Sequence, residues 1–242
     1  MTNYVISTQR SGLNWVRFNV EYHLGLRTPG KTLLISREEQ PETAFVRKHD
    51  PIRVFDVRSP RKKLRDLLIP SYRRKAKARR QRPRIDPQSL GADDHLVLLV
   101  RDPRESFVRA SHKRYSRFGI YLANLRFFHQ ATAGTKRIFH YEDYVRDPAT
   151  MFAIMDTLGL VDERQSLTPE RLAEQWEETA EQSRALYQRN QGHGGGSKTR
   201  KQPYNFRFHQ SKLSPREQQR LEAHIRASLS PEEFALIERY FD

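Results

Sequence analysis

The chain has no cysteine among its 242 residues. Disulfide bonds, thiolate nucleophiles and cysteine-ligated zinc are therefore excluded as sources of stability or chemistry. The chain also lacks an apolar run approaching the roughly 18 residues that a membrane span requires, and no basic and then apolar leader opens it. From these absences we expect a cytoplasmic chain without a membrane anchor.

Acidic residues are scarce relative to basic ones. The chain carries 44 Lys and Arg against 29 Asp and Glu, which gives a formal net charge of +15. Such a surface attracts polyanions and multiply charged small molecules, and a nucleic acid would satisfy it as well as a nucleotide. The length suits one α/β domain with a continuous core, so residues 1–242 are predicted to form a single domain.

A strand, a turn and a helix are predicted between Tyr4 and Leu24. Tyr4 to Ser7 is a short apolar run, and from Leu13 the apolar residues recur at helical spacing. Gly12 allows the turn a positive φ, and the helix behind it directs its first N–H groups and positive dipole end into the turn. Three side chains add hydrogen-bond donors: Thr8, Arg10 and Ser11. The pattern predicts an anion site; an ordinary helix capped by Ser11 is the alternative.

The turn Gln9-Arg-Ser-Gly-Leu-Asn-Trp15 lacks the GxxxxGK[ST] pattern of a Walker loop. It resembles the 5′-phosphosulfate loop of the sulfotransferases that use 3′-phosphoadenosine 5′-phosphosulfate (PAPS), whose pattern is Pro-Lys-Ser-Gly-Thr-Thr-Trp. The serine, the glycine and the tryptophan match, whereas arginine stands at the position of the lysine and glutamine at that of the proline. The resemblance implies a set of cofactor-binding residues: Arg10, Ser11, Gly12, Leu13, Asn14 and Trp15.

A second landmark follows the apolar run Ala44-Phe-Val46. Arg47-Lys48-His49 aligns with a Lys-Thr-His segment of the sulfotransferases, whose histidine is the base that acts on the acceptor. By this resemblance His49 is the candidate general base, Arg47 faces the oxygens of the transferred sulfuryl group, and Lys48 is a further catalytic cation. We expect the two adjacent cations to favour the neutral, proton-accepting imidazole. From the residues alone, a histidine in a surface loop is the alternative.

The continuous apolar run His95-Leu-Val-Leu-Leu-Val100 predicts a central parallel strand. The segment that follows, Arg101-Asp-Pro-Arg104, resembles the 3′-phosphate site of the family, in which a serine follows at a fixed distance. This chain has Arg109 at the position of that serine. The resemblance implies that Arg101 holds the 3′-phosphate. Arg109 lies two helical turns beyond it and could contact the same phosphate, and Ser106 and Ser111 are the nearest serines to the family position.

Tyr141 begins a Tyr-Glu-Asp segment that resembles one in the family whose tyrosine lines the adenine pocket. Core packing is the alternative role for this aromatic residue. Further along, a glycine-rich and basic loop at about residues 190–203 resembles the loop that covers the nucleotide in the family, and it is predicted to close as a lid. Its candidate phosphate ligands are Lys198, Arg200 and Lys201.

Between Arg61 and Arg84 the chain has 12 basic residues and one acid. Because so dense a run of like charge does not favour an isolated helix, we expect a mobile basic insertion over the site at about residues 61–88. A solvated loop without a specific ligand fits the same composition. Towards the C-terminus one helix is predicted from Thr168 to Tyr187, and Ser214-Pro and Ser230-Pro each predict a capped helix start.

The ordered landmarks span residues 4 to about 148 and resemble those of a PAPS-dependent sulfotransferase. The resemblance implies a central parallel sheet flanked by helices, as in nucleoside kinases, with PAPS as sulfuryl donor and 3′-phosphoadenosine 5′-phosphate (PAP) as product. The acceptor would be a hydroxyl or amine of a small molecule or saccharide, and the motifs require neither a metal nor a specific nucleic acid. Two other classes stay open: a nucleotide or small-molecule kinase, and a basic nucleic-acid-binding protein.

Overall fold

The computed structural model describes residues 1–8, 10–29, 43–52, 84–161, 167–190 and 213–241. Within these ranges four strands form one parallel sheet in the order β2-β1-β3-β4. The strands are β1 (Asn3–Ser7), β2 (Val46–Lys48), β3 (His95–Val100) and β4 (Thr135–His140). This all-parallel sheet, with helices on both of its faces, confirms the predicted α/β class.

Helices connect and cover the strands, and two 3-10 turns accompany them at Pro87–Ser89 and Glu238–Tyr240. In the described ranges the α-helices are α1 (Leu13–His23), α2 (Pro103–Arg109), α3 (Tyr115–Gln130), α4 (Tyr141–Tyr144), α5 (Pro148–Thr157), α6 (Pro169–Glu174), α7 (Trp176–Asn190), α8 (Pro215–Ser228) and α9 (Pro231–Ala235).

The sheet buries a separate core on each face, because successive side chains of a strand point to opposite sides. One face carries Val5, Val97 and Leu99 and is covered by α1, α5 and α6. The other carries Ile6 and the alternate residues of β3, and it is covered by α3, α8 and α9. Burial of β3 on both faces explains why its sequence is continuously apolar.

The strand order places a topological switch between β1 and β3. The chain passes from β1 to its neighbour β2 on one side, and it then returns to β3 on the other side. Because the four strands are parallel, their carboxyl ends lie at one edge of the sheet. Proteins with open α/β sheets bind ligands in the crevice at such a switch point. The turns after β1 and β3, which carry two of the three landmarks, meet at this crevice.

The predicted helices differ in how well they agree with the structure. Both capped starts near the C-terminus are confirmed, since α8 and α9 each begin with a complete capping box. The helix predicted from Thr168 to Tyr187 begins at its Thr168 cap as expected, but it is not a single helix, because Gln175 leaves the helical conformation between α6 and α7. This break places Trp176 edge-on against Trp15, with ring centroids 5.1 Å apart. Long-range aromatic packing of this kind leaves no signal in helical periodicity.

Two predicted segments lie mostly outside the described residues. The structure describes the basic insertion only from residue 84 onwards, where Ile85 packs against the core beside α3. The glycine-rich loop lies outside the described residues from residue 191 onwards. Among the helices that are described, none combines the length and the apolar character of a membrane span.

Candidate functional site

The turn between β1 and α1 contains two residues in the left-handed region. Arg10 has a φ of 72° and Gly12 a φ of 74°, which confirms the positive φ expected of the glycine. Gly12 is the N-cap of α1, and no side chain caps this helix. The Ser11 hydroxyl donates instead to the carbonyl oxygen of Thr8 at 2.8 Å. The alternative of a helix capped by Ser11 is therefore wrong.

The first N–H groups of α1 are not used by the helix itself. Its hydrogen bonds begin with Trp15, whose N–H donates to the carbonyl oxygen of Gly12 at 2.8 Å. In the part of the chain that the structure describes, the N–H groups of Gly12, Leu13 and Asn14 have no hydrogen-bond acceptor. Together with the positive end of the helix dipole, these three donors give the turn the chemistry of an anion site.

Two tyrosines of α4 close over this turn. Tyr144 donates its hydroxyl hydrogen to the carbonyl oxygen of Ser11. A Cβ atom on Gly12 would lie 2.8 Å from Cδ2 of Tyr141 and 2.9 Å from the hydroxyl oxygen of Tyr144. The turn therefore needs glycine at this position both for the left-handed backbone and for the close approach of the two rings.

Arg101 joins the end of β3 to the same turn. It is 2% exposed, and its Nη1 donates to the carbonyl oxygen of Arg10 at 3.2 Å. Its guanidinium carbon lies 4.2 Å from the centre of the Tyr141 ring, within cation–π range. Tyr121 of α3 holds the main chain here by donating its hydroxyl to the carbonyl oxygen of Arg101 at 2.9 Å. The predicted cofactor residues Arg10, Arg101 and Tyr141 are thus brought together at the crevice.

Glu105, in the first turn of α2, is a buried carboxylate that was not among the predicted site residues. It is 0% exposed, and its Oε2 lies 2.9 Å from Nε of Arg109 and 3.6 Å from Nη2 of Arg101. The two arginines predicted to share a phosphate therefore share a carboxylate. The i,i+4 spacing of the glutamate from each arginine was the signal available in the sequence. Because one carboxylate offsets one of the two cations, the group keeps about one net positive charge with both guanidinium groups held in place.

His49 lies just after β2, beside the last residue of β1. Its Nδ1 is 2.8 Å from the carbonyl oxygen of Ser7 and 3.1 Å from the Ser7 hydroxyl, and its Nε2 is 3.2 Å from Nη2 of Arg47. Burial lowers the pKa of His49; the hydrogen bond to Ser7 raises it, and the charge of Arg47 lowers it. The lowered pKa agrees with the expected neutral imidazole, although burial and not charge is the largest cause.

Asn124 supports the turn that carries His49. It is fully buried in α3, and its Nδ2 donates to the carbonyl oxygen of His49 at 3.2 Å. Ser7 of β1 contacts the imidazole of His49, and Asn124 of α3 contacts its main chain. Contacts from these two elements therefore fix the position of the ring. The signal for this role in the sequence was a polar residue within a buried face that is otherwise apolar and aromatic, with Tyr121 and Leu125 as its neighbours.

The remaining predicted residues of the site lie in different surroundings. The side chains of Leu13 and Trp15 are packed in the core, 5% and 1% exposed, so it is their main chain that lies at the turn. Asn14 is exposed, and its Oδ1 accepts a hydrogen bond from Nη1 of Arg17 at 3.3 Å. Lys48 is the last residue of β2. Three predicted ligands lie outside the described residues: Lys198, Arg200 and Lys201.

The C-terminal turn Glu238–Tyr240 braces the corner between β4 and α4. Tyr240 donates its hydroxyl to Oε2 of Glu142 at 2.6 Å, and Oε1 of Glu142 accepts from the N–H of Asp102 at 3.3 Å. Asp102 directly follows Arg101, so this chain of contacts links the C-terminal turn to the crevice. No sequence prediction included it, since its members are far apart along the chain.

Comparisons of the chain with protein-family models, with curated proteins and with solved structures find no match. Within the described ranges, His, Asp and Glu side chains form no group of three that could hold a metal ion. The function is therefore inferred from the residues of the crevice themselves.

Proposed function

We propose that the chain is a PAPS-dependent sulfotransferase with a nucleoside-kinase-like fold, and that it sulfates a hydroxyl or amine of a small molecule or saccharide. The observation that carries the proposal is that the landmarks meet at one edge of the sheet. Residues that follow different strands contact one another there, and the contacts join Ser7 to His49, Arg10 to Arg101, and Arg101 to Tyr141. The order of the landmarks along the chain does not by itself require these contacts.

The donors around the turn suit the charge distribution of PAPS. The three N–H groups at the start of α1 and the side chain of Arg10 would hold the 5′-phosphate and the sulfuryl oxygens. Arg101 and Arg109 would hold the 3′-phosphate. Burial raises the pKa of Tyr141, so its neutral ring would be available to the base of the nucleotide. When bound, PAPS supplies the sulfuryl group together with a phosphate leaving group.

His49 is the proposed general base. Its Nδ1 must carry the hydrogen, because the carbonyl oxygen of Ser7 can only accept, and Nε2 therefore carries the lone pair. The acceptor would give its proton to Nε2 as its oxygen or nitrogen bonds to sulfur. The electron pair of the breaking sulfur–oxygen bond would stay on the 5′-phosphate, next to the positive end of α1. The imidazolium would then release its proton to solvent.

Arg10 stands at the position of the lysine in the resemblance, and this change has a mechanistic consequence. A guanidinium keeps its proton at ordinary pH, so Arg10 would stabilise charge without donating a proton to the leaving group. We expect Arg10→Ala to abolish transfer from radiolabelled PAPS and Arg10→Lys to retain part of it. An alanine variant as active as the native chain would remove Arg10 from the mechanism.

Isothermal titration with PAP, ATP and AMP at moderate salt tests the cofactor directly. We expect PAP to bind selectively, with a micromolar or tighter Kd. Arg101→Ala should weaken PAP binding about ten- to a hundredfold, because hydrogen bonds to charged groups contribute about 1.5–3 kcal/mol. Arg101→Lys keeps a cation beside Glu105 and so separates loss of binding from loss of fold. Arg220→Ala, at an exposed arginine of α8, is the matched control.

Two outcomes would contradict the proposal. Equal, weak and salt-sensitive binding of all three nucleotides would show an unspecific basic surface. Turnover of ATP that depends on Mg²⁺ would indicate a kinase.

Where PAP binds selectively, a panel of hydroxyl and amine acceptors with radiolabelled PAPS identifies the substrate. On that substrate, His49→Gln should bind PAP normally while losing transfer.

A further inference from the structure

Arg47 forms a hydrogen bond with Nε2 of His49, the nitrogen atom that would act as the base. Its Nη2 lies 3.2 Å from Nε2 of the imidazole, and a guanidinium can only donate hydrogen bonds. Nε2 must therefore be the acceptor, which agrees with the hydrogen that Nδ1 donates to the carbonyl oxygen of Ser7. As long as this contact persists, the lone pair of His49 is directed at Arg47 and cannot take a proton from an acceptor.

The guanidinium of Arg47 is held by weak partners. Its second contact is a donation from Nη1 to the carbonyl oxygen of Pro29 at 3.4 Å, and within the described residues no carboxylate pairs with it. Burial lowers the pKa of Arg47, so its charge is partly desolvated, and among the described residues it meets only neutral acceptors. An oxyanion would offer shorter, charge-assisted hydrogen bonds that two neutral acceptors cannot match. An oxyanion within reach would therefore draw Arg47 away from His49.

We infer that Arg47 is a positioning residue that keeps His49 from acting as a base until the sulfuryl oxyanion of the donor is bound. Bound donor releases the imidazole by taking over the hydrogen bonds of Arg47. This inference rests on the proposed function and adds a regulation of the same site. The switch breaks no covalent bond, since one hydrogen bond of the guanidinium is exchanged for another. Its effect is that His49 removes a proton from the acceptor molecule only when PAPS is bound, so that the resulting nucleophile can attack the sulfur atom of PAPS.

Among the described residues, groups from three elements face His49. Arg47 of β2 contacts Nε2, and Ser7 of β1 contacts Nδ1 through both its carbonyl and its hydroxyl oxygen. Asn124 of α3 contacts the main chain of His49 and not its ring. Lys48 and Asp50 are its neighbours along the chain. Replacement of Arg47 by a neutral residue therefore removes the partner of Nε2 and leaves the hydrogen bond at Nδ1 in place.

The first test is a pH titration of histidine-labelled protein by nitrogen NMR, with the His49 signal assigned by its loss in His49→Gln. We expect Arg47→Met to shift the His49 titration to higher pH in the free protein. Lys48→Met removes a cation one residue away whose charge is not among the causes that lower the His49 pKa in the folded chain, so it should leave the titration unchanged. His140, whose pKa is lowered to about 4 mainly by burial, is the internal reference. An unchanged His49 titration in a folded Arg47→Met variant would overturn the inference.

The second test compares PAPS with PAP, which differ by the sulfuryl group alone, on the native chain. We expect PAPS to shift the His49 titration to higher pH and to change the Nε2 signal, and we expect PAP to leave both close to their values in the free protein. Beyond the His49→Gln variant used for assignment, this comparison needs no substitution, so it tests the inference even where Arg47→Met does not fold.

The outcomes of the second test separate the inference from the function on which it rests. Equal effects of PAPS and PAP on His49, with both ligands bound by calorimetry, would overturn the release by the sulfuryl group and leave the proposed function intact. Absence of binding by either ligand would overturn both.

Discussion

Both the local backbone conformation and the packing of distant side chains require glycine at position 12. Its φ of 74° belongs to the left-handed region, and a Cβ there would lie within 2.9 Å of both Tyr141 and Tyr144. Neither ring can move aside without losing a contact: the Tyr141 ring stacks on the guanidinium of Arg101, and the Tyr144 hydroxyl donates a hydrogen bond to the carbonyl oxygen of Ser11. The shape of the turn therefore depends on the absence of this one side chain.

We expect Gly12→Ala to lower the free energy of unfolding by about 2–4 kcal/mol, the sum of left-handed strain and overpacking. Urea denaturation measures this loss, and the variant should also bind PAP more weakly because the rings are displaced. Gly91→Ala is the matched control, since a Cβ there would meet only Asp94 Oδ2 at 3.8 Å. An equal loss of stability in both variants would show that backbone entropy, and not the shape of the turn, sets the cost.

Glu105 explains how the buried Arg101 and the partly exposed Arg109 can be held side by side before any ligand binds. A buried guanidinium without a counter-charge is costly, and one carboxylate shared between Arg101 and Arg109 reduces that cost while fixing their positions. The shared arrangement still leaves positive charge for an anion at the crevice. A structural ion pair and a ligand site are therefore compatible roles for the same residues.

The corner between β4 and α4 depends on a contact with an element from the far end of the chain. Tyr240 donates to Glu142 at 2.6 Å and lies 3.0 Å from Nδ1 of His140. We expect Tyr240→Phe to lower the free energy of unfolding by about 1–3 kcal/mol, because Glu142 loses a donor in a partly buried place. PAP affinity should also fall, since Glu142 accepts from Asp102 beside the crevice.

Thermal and chemical denaturation, followed by calorimetry with PAP, measure the two effects of Tyr240→Phe. Tyr115→Phe is the control, because that ring is 40% exposed and its hydroxyl makes no hydrogen bond within the described residues. If Tyr240→Phe destabilises the fold while PAP binding stays unchanged, the brace is structural only and does not reach the crevice.

The elements could be predicted from sequence where the signal is local. β3 was evident because burial on both faces leaves a continuous apolar run, and the starts of α8 and α9 were evident because a capping box is complete within four residues. The break at Gln175 and the hydrogen bond from Tyr144 to Ser11 could not be predicted, because both depend on contacts between residues that are far apart in the sequence. The partners Glu105 and Asn124 left only weaker signals, an i,i+4 spacing between charged residues and one polar residue on a buried face, and neither signal shows which groups they contact.

The whole molecule brings distant segments together through its strand order. Parallel pairing puts the carboxyl ends of β1, β2, β3 and β4 at one edge, so that segments separated by about a hundred residues contribute to one crevice. Two partly buried histidines, one at the end of α1 and one at the end of β4, also make the stability of the chain depend on pH. His23 lies 3.1 Å from the hydroxyl of Thr179, and His140 lies against Tyr240.

Burial is the largest cause that lowers the pKa of His23 and of His140 to about 4, from an ordinary value of 6.5. Because the unfolded chain binds these protons first as pH falls, stability is complete above pH 6.5 and is lost progressively down to about pH 4. After allowance for partial exposure, we expect each residue to contribute about 1–2 kcal/mol to the free energy of unfolding.

Urea denaturation between pH 7 and 4.5 measures the slope of the free energy of unfolding against pH. This window lies above the lowered pKa of carboxylates such as Glu217. The double variant His23→Gln, His140→Gln should make the slope shallower but not flat, since the pKa of His49 is also lowered, whereas His129→Gln, at an exposed position of α3, should leave the slope unchanged. An equally steep slope in the double variant would assign the acid sensitivity to other groups.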